Sequence, residues 1–161
     1  MKRRGFLATT LSGGALSCLG VRQVGAAPSA GLPAALSLKA ELDLALRLAS
    51  PLVVMVSLEG CVFCRIVRDQ HLVSLLREGQ PIVQVDMRSP ARVLDFEGRA
   101  TTHDELVKAW KVVAAPTLLF FGKGAREVAE RLQGSSIPEF YGAYREQRMQ
   151  AARLETAPIK R

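Results

Sequence analysis

The chain has 161 residues, 48% of them hydrophobic and 23% charged, with a formal charge of +7. That length suffices for one domain with a real core, and no repeat or low-complexity tract divides it.

The amino terminus, residues 1–26, reads as an export signal rather than as fold. Lys2-Arg3-Arg4 is a basic start, Gly5–Val21 carries no charge, and Val24-Gly25-Ala26 offers the small residues that a signal peptidase reads. The uncharged stretch is rich in Gly, Ser and Thr, which makes it a poor membrane span. Arg3-Arg4-Gly5-Phe6-Leu7 resembles the twin-arginine signal; a general secretory signal is the alternative. Ala15-Leu16-Ser17-Cys18 is a loose match to a lipoprotein box, with Ala15 where a leucine usually stands. Lipid anchoring at Cys18 is therefore set against Cys18 as a small apolar residue of a discarded signal. The expectation is a periplasmic or exported protein. Loss of Lys2, Arg3, Arg4 and Arg22 with the signal lowers the formal charge from +7 to +3. No basic stripe interleaved with aromatics remains, which argues against nucleic-acid binding.

Residues 27–35 are small residues and proline and read as a flexible lead-in. Leucines and alanines recur at helical spacing over 36–49, which predicts an amphipathic helix ended by Ser50-Pro51. Leu52–Val56 is a continuous apolar, β-branched run and reads as a central strand covered on both faces. A helix follows from about Cys61 to Arg77, stopped by Glu78-Gly79. Pro81–Asp86 reads as a second buried strand. Val93–Thr101 reads as a small hairpin on a two-residue Glu97-Gly98 turn. Thr102 and Glu105 form a capping box for a helix carrying Leu106, Val107 and Trp110. Thr117–Phe121 is the third strand. Gly122-Lys123-Gly124 is a turn, and Arg126–Leu132 suits an antiparallel strand open on one face. Ser136-Ile137-Pro138-Glu139 is a second capping box, opening a helix to about Arg153. Residues 154–161 read as a frayed tail. Trp110, Phe140 and Tyr144 are expected in the core.

Cys61-Val62-Phe63-Cys64 carries the chemistry. It lies where a strand and a short Glu59-Gly60 turn give way to a helix. Two thiols at this spacing can close a small disulfide. The helix N-terminus favours thiolate at the first sulfur, and the thiolate attacks disulfides. With Cys18 removed, one pair of cysteines remains in an exported chain. So short a loop constrains the unfolded state little, which points to a catalytic rather than a structural disulfide. Arg65 and Arg68 read as a solvated helix face, with support of the Cys61 thiolate or of a partner's acids as the alternative. His71 and His103 are the only histidines, and His103 reads as an exposed first-turn residue. Zinc held by Cys61, Cys64, His71 and His103 is a remaining alternative, weakened by the lack of a compact second half-site.

The element order, Cys61-Val62-Phe63-Cys64 at the first helix after a strand, and Ala115-Pro116-Thr117 entering the later antiparallel pair together resemble the thioredoxin superfamily. The resemblance covers 36–153. The inserted hairpin is similar to that of small periplasmic thioredoxin-like proteins, including those of bacterial sulfur-oxidation systems. The fold implied is α/β: a three-layer sandwich with a mixed β-sheet flanked by helices. The resemblance implies Cys61 as the exposed nucleophile, Cys64 as the resolving thiol, and Pro116 as a cis-proline facing them, with backbone near Ala115 pairing to substrate. It implies a monomeric thiol–disulfide oxidoreductase needing no bound cofactor. Its partners would be protein disulfides or thiols, and a membrane thiol-electron donor is a further candidate. A dedicated electron carrier for one periplasmic partner is the alternative within the same fold. Two positions depart from the family pattern. Met55 stands where thioredoxins carry a buried acid, and the Val-Phe dipeptide lacks both the proline of reducing thioredoxins and the histidine of the strong periplasmic oxidant.

If the twin-arginine route is used, Arg3→Lys with Arg4→Lys should leave uncleaved precursor in the cytoplasm, read by fractionation and immunoblotting. Unchanged export of the double variant would assign the general secretory route instead.

Overall fold

The computed structural model describes residues 31–134 and 138–157. The export signal with Cys18, the first part of the lead-in, the Ser136 capping box and the last four residues lie outside them. The elements run α1 (Leu38–Arg47), β1 (Leu52–Ser57), α2 (Val62–Val67), a π-helical turn (Arg68–Leu72), α3 (Val73–Arg77), β2 (Ile82–Asp86), β3 (Arg92–Leu94), β4 (Ala100–Thr102), α4 (His103–Ala109), β5 (Thr117–Phe121), a 3₁₀ turn (Lys123–Ala125), β6 (Leu132–Gln133) and α5 (Pro138–Thr156).

Strand β1 organises the rest. All six of its residues are buried. It lies between β2, which runs parallel to it, and β5, which runs antiparallel, in a sheet of order β2-β1-β5-β6. Successive side chains point to opposite faces. Leu52, Val54 and Val56 pack with Leu38, Leu42 and Ala45 of α1 and Leu106 and Val107 of α4. Val53 and Met55 pack with Cys64 and Val67 of α2 and Tyr141, Met149 and Ala152 of α5. The result is the expected mixed sheet between helical layers.

Several expectations need correction. The described part of the lead-in is not loose. Gln84 N–H donates to Pro33 O, and Ala35 N–H donates to Gln84 O, both at 2.8 Å. Those bonds cover the outer edge of β2, which would otherwise present unpaired backbone groups. The hairpin β3–β4 pairs as far as Leu94 and Ala100, and the Asp95 N–H then donates to Arg99 O at 2.9 Å, so three residues, Phe96–Gly98, close it rather than two. The Asp95 carboxylate fills the wider loop by accepting from the N–H groups of Glu97 and Arg99.

The predicted strand 126–132 is broken. Phe121 bridges Glu127, a register that would set Leu118 against Glu130. Leu118 instead faces Leu132, so two extra residues bulge from this edge. The last helix continues through Thr156, whose hydroxyl donates to Ala152 O. Its buried face is Tyr141, Met149, Ala152 and Thr156, which leaves Phe140 and Tyr144 58% and 43% exposed rather than in the core. Trp110 does pack inward, with its ring 5.5 Å from that of Phe121.

The capping box of α4 forms as read, with Thr102 Oγ1 accepting from Glu105 N–H and Glu105 accepting from Thr102 N–H. His103, in contrast, is 2% exposed. Its Nδ1 accepts from Asp86 N–H, and its Nε2 lies 3.1 Å from Ala35 O. Both bonds are satisfied only by the neutral ring protonated at Nε2. One side chain thus ties α4 to the end of β2 and to the lead-in. Replacing it should strand a buried donor and a buried acceptor, at about 1–3 kcal/mol for each unsatisfied group. His103→Leu is expected to destabilise the fold by about 2–4 kcal/mol in urea unfolding. A loss under about 0.5 kcal/mol, the range of ordinary surface changes, would show that the two bonds do not matter.

Candidate active site

The cysteine pair sits at the carboxyl end of β1, where the chain turns at Leu58–Gly60 before entering α2. Gly60 takes φ +74°, a conformation that favours glycine. Cys61 is the N-cap of α2. Its Sγ accepts from the N–H of Cys64 at 3.1 Å. Through the π-helical turn, α2 leads into α3, so the sulfur faces the start of a long helical path. Cys61 and Cys64 are joined as a disulfide, with their Cα atoms 5.2 Å apart.

The two sulfurs have unlike surroundings. Cys61 is partly exposed. Cys64 is 0% exposed and packs in the core cluster that holds Met55 and Val67. Where the buried acid was sought, Met55 is fully buried among apolar neighbours. Glu59, the nearest acid in sequence, is exposed in the turn.

Chain segments far apart in sequence meet at Cys61. Ala115 O lies 3.9 Å from Cys61 Sγ, which sets the start of Ala115-Pro116-Thr117 beside the pair. The Ala115–Pro116 bond is cis, and Pro116 is buried. Thr117 Oγ1 donates to Ala114 O at 2.7 Å, which pins the loop just before β5. Exposed apolar side chains lie between the two cysteines and two residues before Ala115. Val62 and Phe63 are each 56% exposed and Val113 is 84% exposed.

On the other side of Cys61 opens a cleft of about 900 Å³ between α2 and the loop that follows β2. Arg68 lies in it and is not a solvated face residue. Its Nη2 donates to Ser57 Oγ at 3.1 Å and its Nε to Gln84 Oε1 at 2.9 Å. Gln84 in turn donates to Asp86 Oδ1 at 2.7 Å. This polar chain was not visible in the sequence, because it joins a helix to two strands. Arg65 is exposed, as expected.

The histidines do not join the cysteines. His103 is committed to Ala35 and Asp86. His71 lies against Tyr141, ring centres 5.0 Å apart. Burial, and then the charge of Arg145, push the pKa of His71 below its ordinary value. Burial raises that of the Tyr141 hydroxyl. Among the described residues, no three His, Cys, Asp or Glu side chains cluster as metal ligands.

No protein-family model and no curated protein matches the chain. Solved structures do. A protein titled DsbH oxidoreductase is 19% identical, with a TM-score of 0.50, covering 89% of this chain and 96% of its own. The chain has the thioredoxin fold. A thioredoxin from Thermus thermophilus is 24% identical at a TM-score of 0.48, covering 74% of this chain and 89% of its own. The periplasmic thioredoxin SoxS from Paracoccus pantotrophus is 18% identical at a TM-score of 0.41, covering 63% of this chain and 98% of its own.

In this version of the thioredoxin fold the two thiols should differ sharply in access. Iodoacetamide applied to the reduced protein at mildly acidic pH should modify Cys61 at least tenfold faster than Cys64, read by peptide mass spectrometry. Faster modification of Cys64 would reverse the assignment.

Proposed function

We propose that the chain is an exported thiol–disulfide oxidoreductase that acts on protein disulfides through Cys61 and Cys64. The observation that carries this reading is the asymmetry of the pair. One sulfur is accessible and receives an N–H bond at the start of a helix, and the other is sealed in the core one turn later. A disulfide that served only to staple the fold gains nothing from such an arrangement.

In the reducing direction, the Cys61 thiolate attacks one sulfur of the substrate disulfide. A bond forms between Cys61 Sγ and that sulfur, and the other substrate sulfur leaves as thiolate and takes up a proton. Cys64, as thiolate, then attacks Cys61 Sγ. The mixed disulfide breaks, the second substrate thiol is released, and two electrons have passed from the cysteine pair to the substrate. The pair is left as the disulfide seen here, and an external dithiol, such as a membrane thiol-electron donor, restores it. The oxidising direction is the reverse sequence.

Each part of the site fits a step. The N–H of Cys64 and the helix start stabilise negative charge on Cys61. The backbone at Ala115 lies within reach of the same sulfur, where an extended substrate segment can pair with it. Val62, Phe63 and Val113 give that segment an apolar seat. Cys64 has no carboxylate at Met55 to take its proton, so its deprotonation should limit the second step near neutral pH.

The twin-arginine-like amino terminus supports export, and among the described residues no helix is long and apolar enough to cross a membrane.

Cys64→Ser should therefore accumulate mixed disulfides with other exported proteins, seen as reductant-sensitive bands on non-reducing gels. Cys61→Ser should trap almost none. Equal trapping by the two variants, or none by either, would remove the assigned roles. Insulin reduction by the wild type separates a general reductant from a carrier dedicated to one partner.

A further inference from the structure

The cleft beside Cys61 carries more cation than anion, and among the described residues two of those cations, Arg65 and Arg68, lack direct counter-ions. Arg65 and Arg68 follow Cys61 at the i+4 and i+7 positions, which set all three on one side of the helical path. Arg68 is half-buried and held only by neutral acceptors, Ser57 Oγ and Gln84 Oε1. Among the described residues, neither Arg65 nor Arg68 makes an ion pair. The loop after β2 adds Arg88, exposed, with φ +61°. Arg88 stands near Asp104, a carboxylate already bound by Lys108. The acids of the cleft are Glu59, at the end nearest Cys61, and Asp86, whose Oδ1 accepts from Gln84. A half-buried guanidinium given neutral partners and open to a cleft is an incomplete electrostatic arrangement, and an incoming carboxylate completes it.

Resting on the function proposed above, we infer that this cleft selects substrates in which acidic side chains flank the disulfide. The spacing fixes where the acids belong. Rising about 1.5 Å per residue, α2 places Arg65 about 6 Å beyond Cys61, and Arg68, at the start of the π-helical turn, lies about 10 Å beyond it. An extended polypeptide advances about 3.3 Å per residue, so these distances correspond to the second and third residues from the attacked cysteine. Glu59 disfavours an acid directly beside that cysteine. The partner is an acidic, extended polypeptide segment, bound through charge on the cleft side while its backbone lies toward Ala115.

The test uses symmetric peptide disulfides with Glu, Gln or Lys at the second and third residues on both sides of a single cysteine. Each is mixed with the reduced full-length protein in single turnover, and released peptide thiol is measured. Every rate is divided by the same peptide's rate with dithiothreitol, which removes intrinsic differences in reactivity. Any effect of an arginine on the Cys61 thiolate is common to all three peptides and cancels in the ratios. At low salt the Glu peptide should react at least fivefold faster than the Gln peptide, and the Lys peptide slowest. The Glu-to-Gln ratio should fall below two in 0.5 M NaCl and by at least half in Arg65→Gln/Arg88→Gln, which keeps Arg68 and changes two exposed positions where folding is not at stake. Arg65→Glu/Arg88→Glu should reverse the order. Equal rates for the three peptides with wild type would overturn this inference and leave the oxidoreductase reading standing. So would a Glu preference left undiminished in both double variants. Failure to exchange with any peptide in either direction, as reduced protein with peptide disulfide or as oxidised protein with peptide thiol, would overturn both readings.

Discussion

The bond from the Cys64 N–H to the Cys61 sulfur is a local contact that the whole sheet is arranged to hold. It exists only if α2 starts at Cys61, and α2 starts there because β1 ends at Ser57 and the chain must reverse through Gly60. Strand β1 in turn cannot shift. A slip of one residue would turn Val53 and Met55 toward α1 and α4, and Val54 and Val56 toward the cysteine helix. Six consecutive buried residues paired on both edges fix that register. Antiparallel pairing of β1 with β5 then brings the segment before Thr117 to the sulfur, since Val56 faces Thr117. One strand thus places both the sulfur proposed as nucleophile and the backbone proposed to meet its substrate.

A second set of contacts fixes the other wall of the site. His103 joins α4 to Asp86 and Ala35, while Arg68 joins the π-helical turn to Ser57 and Gln84. Both act at the carboxyl ends of β1 and β2. The loop after β2, which lines the cleft, is therefore anchored from two directions. The absence of an acid at Met55 belongs to the same picture. Charge near the cysteine pair is supplied from the solvent-facing cleft by arginines rather than from the core by a carboxylate. Electrostatically, that favours a thiolate at Cys61 over what an anion in the core would allow, while Cys64 keeps no neighbouring carboxylate to take its proton.

The layers of the fold were legible because they are written locally. A β-branched run marks β1 and a short leucine and phenylalanine run marks β5, the Thr102–Glu105 capping box marks α4, and Cys61 to Cys64 marks the strand-to-helix turn. What was missed depends on partners from elsewhere in the chain. His103 looked like an exposed first-turn residue because its two hydrogen-bond partners lie on β2 and the lead-in. Arg68 looked solvated for the same reason. Phe140 and Tyr144 were placed in the core by their chemistry alone, although Tyr141, Met149 and Ala152 define the inward stripe of α5 and leave no room for both neighbours. The small residues of 33–35 gave no sign of pairing, because the edge of β2, not their own propensity, orders them. The bulge in 126–132 is a matter of register, which no short window of sequence carries.

The most direct measurement is the thiol–disulfide equilibrium of Cys61 and Cys64 against redox buffers, with thiols trapped by a mass-shifting maleimide. A working redox pair should lose and gain both thiols together in one two-electron step, within the span of known dithiol catalysts, about −270 to −120 mV. A pair that stays oxidised to below about −300 mV would be a structural disulfide and would contradict the proposed chemistry.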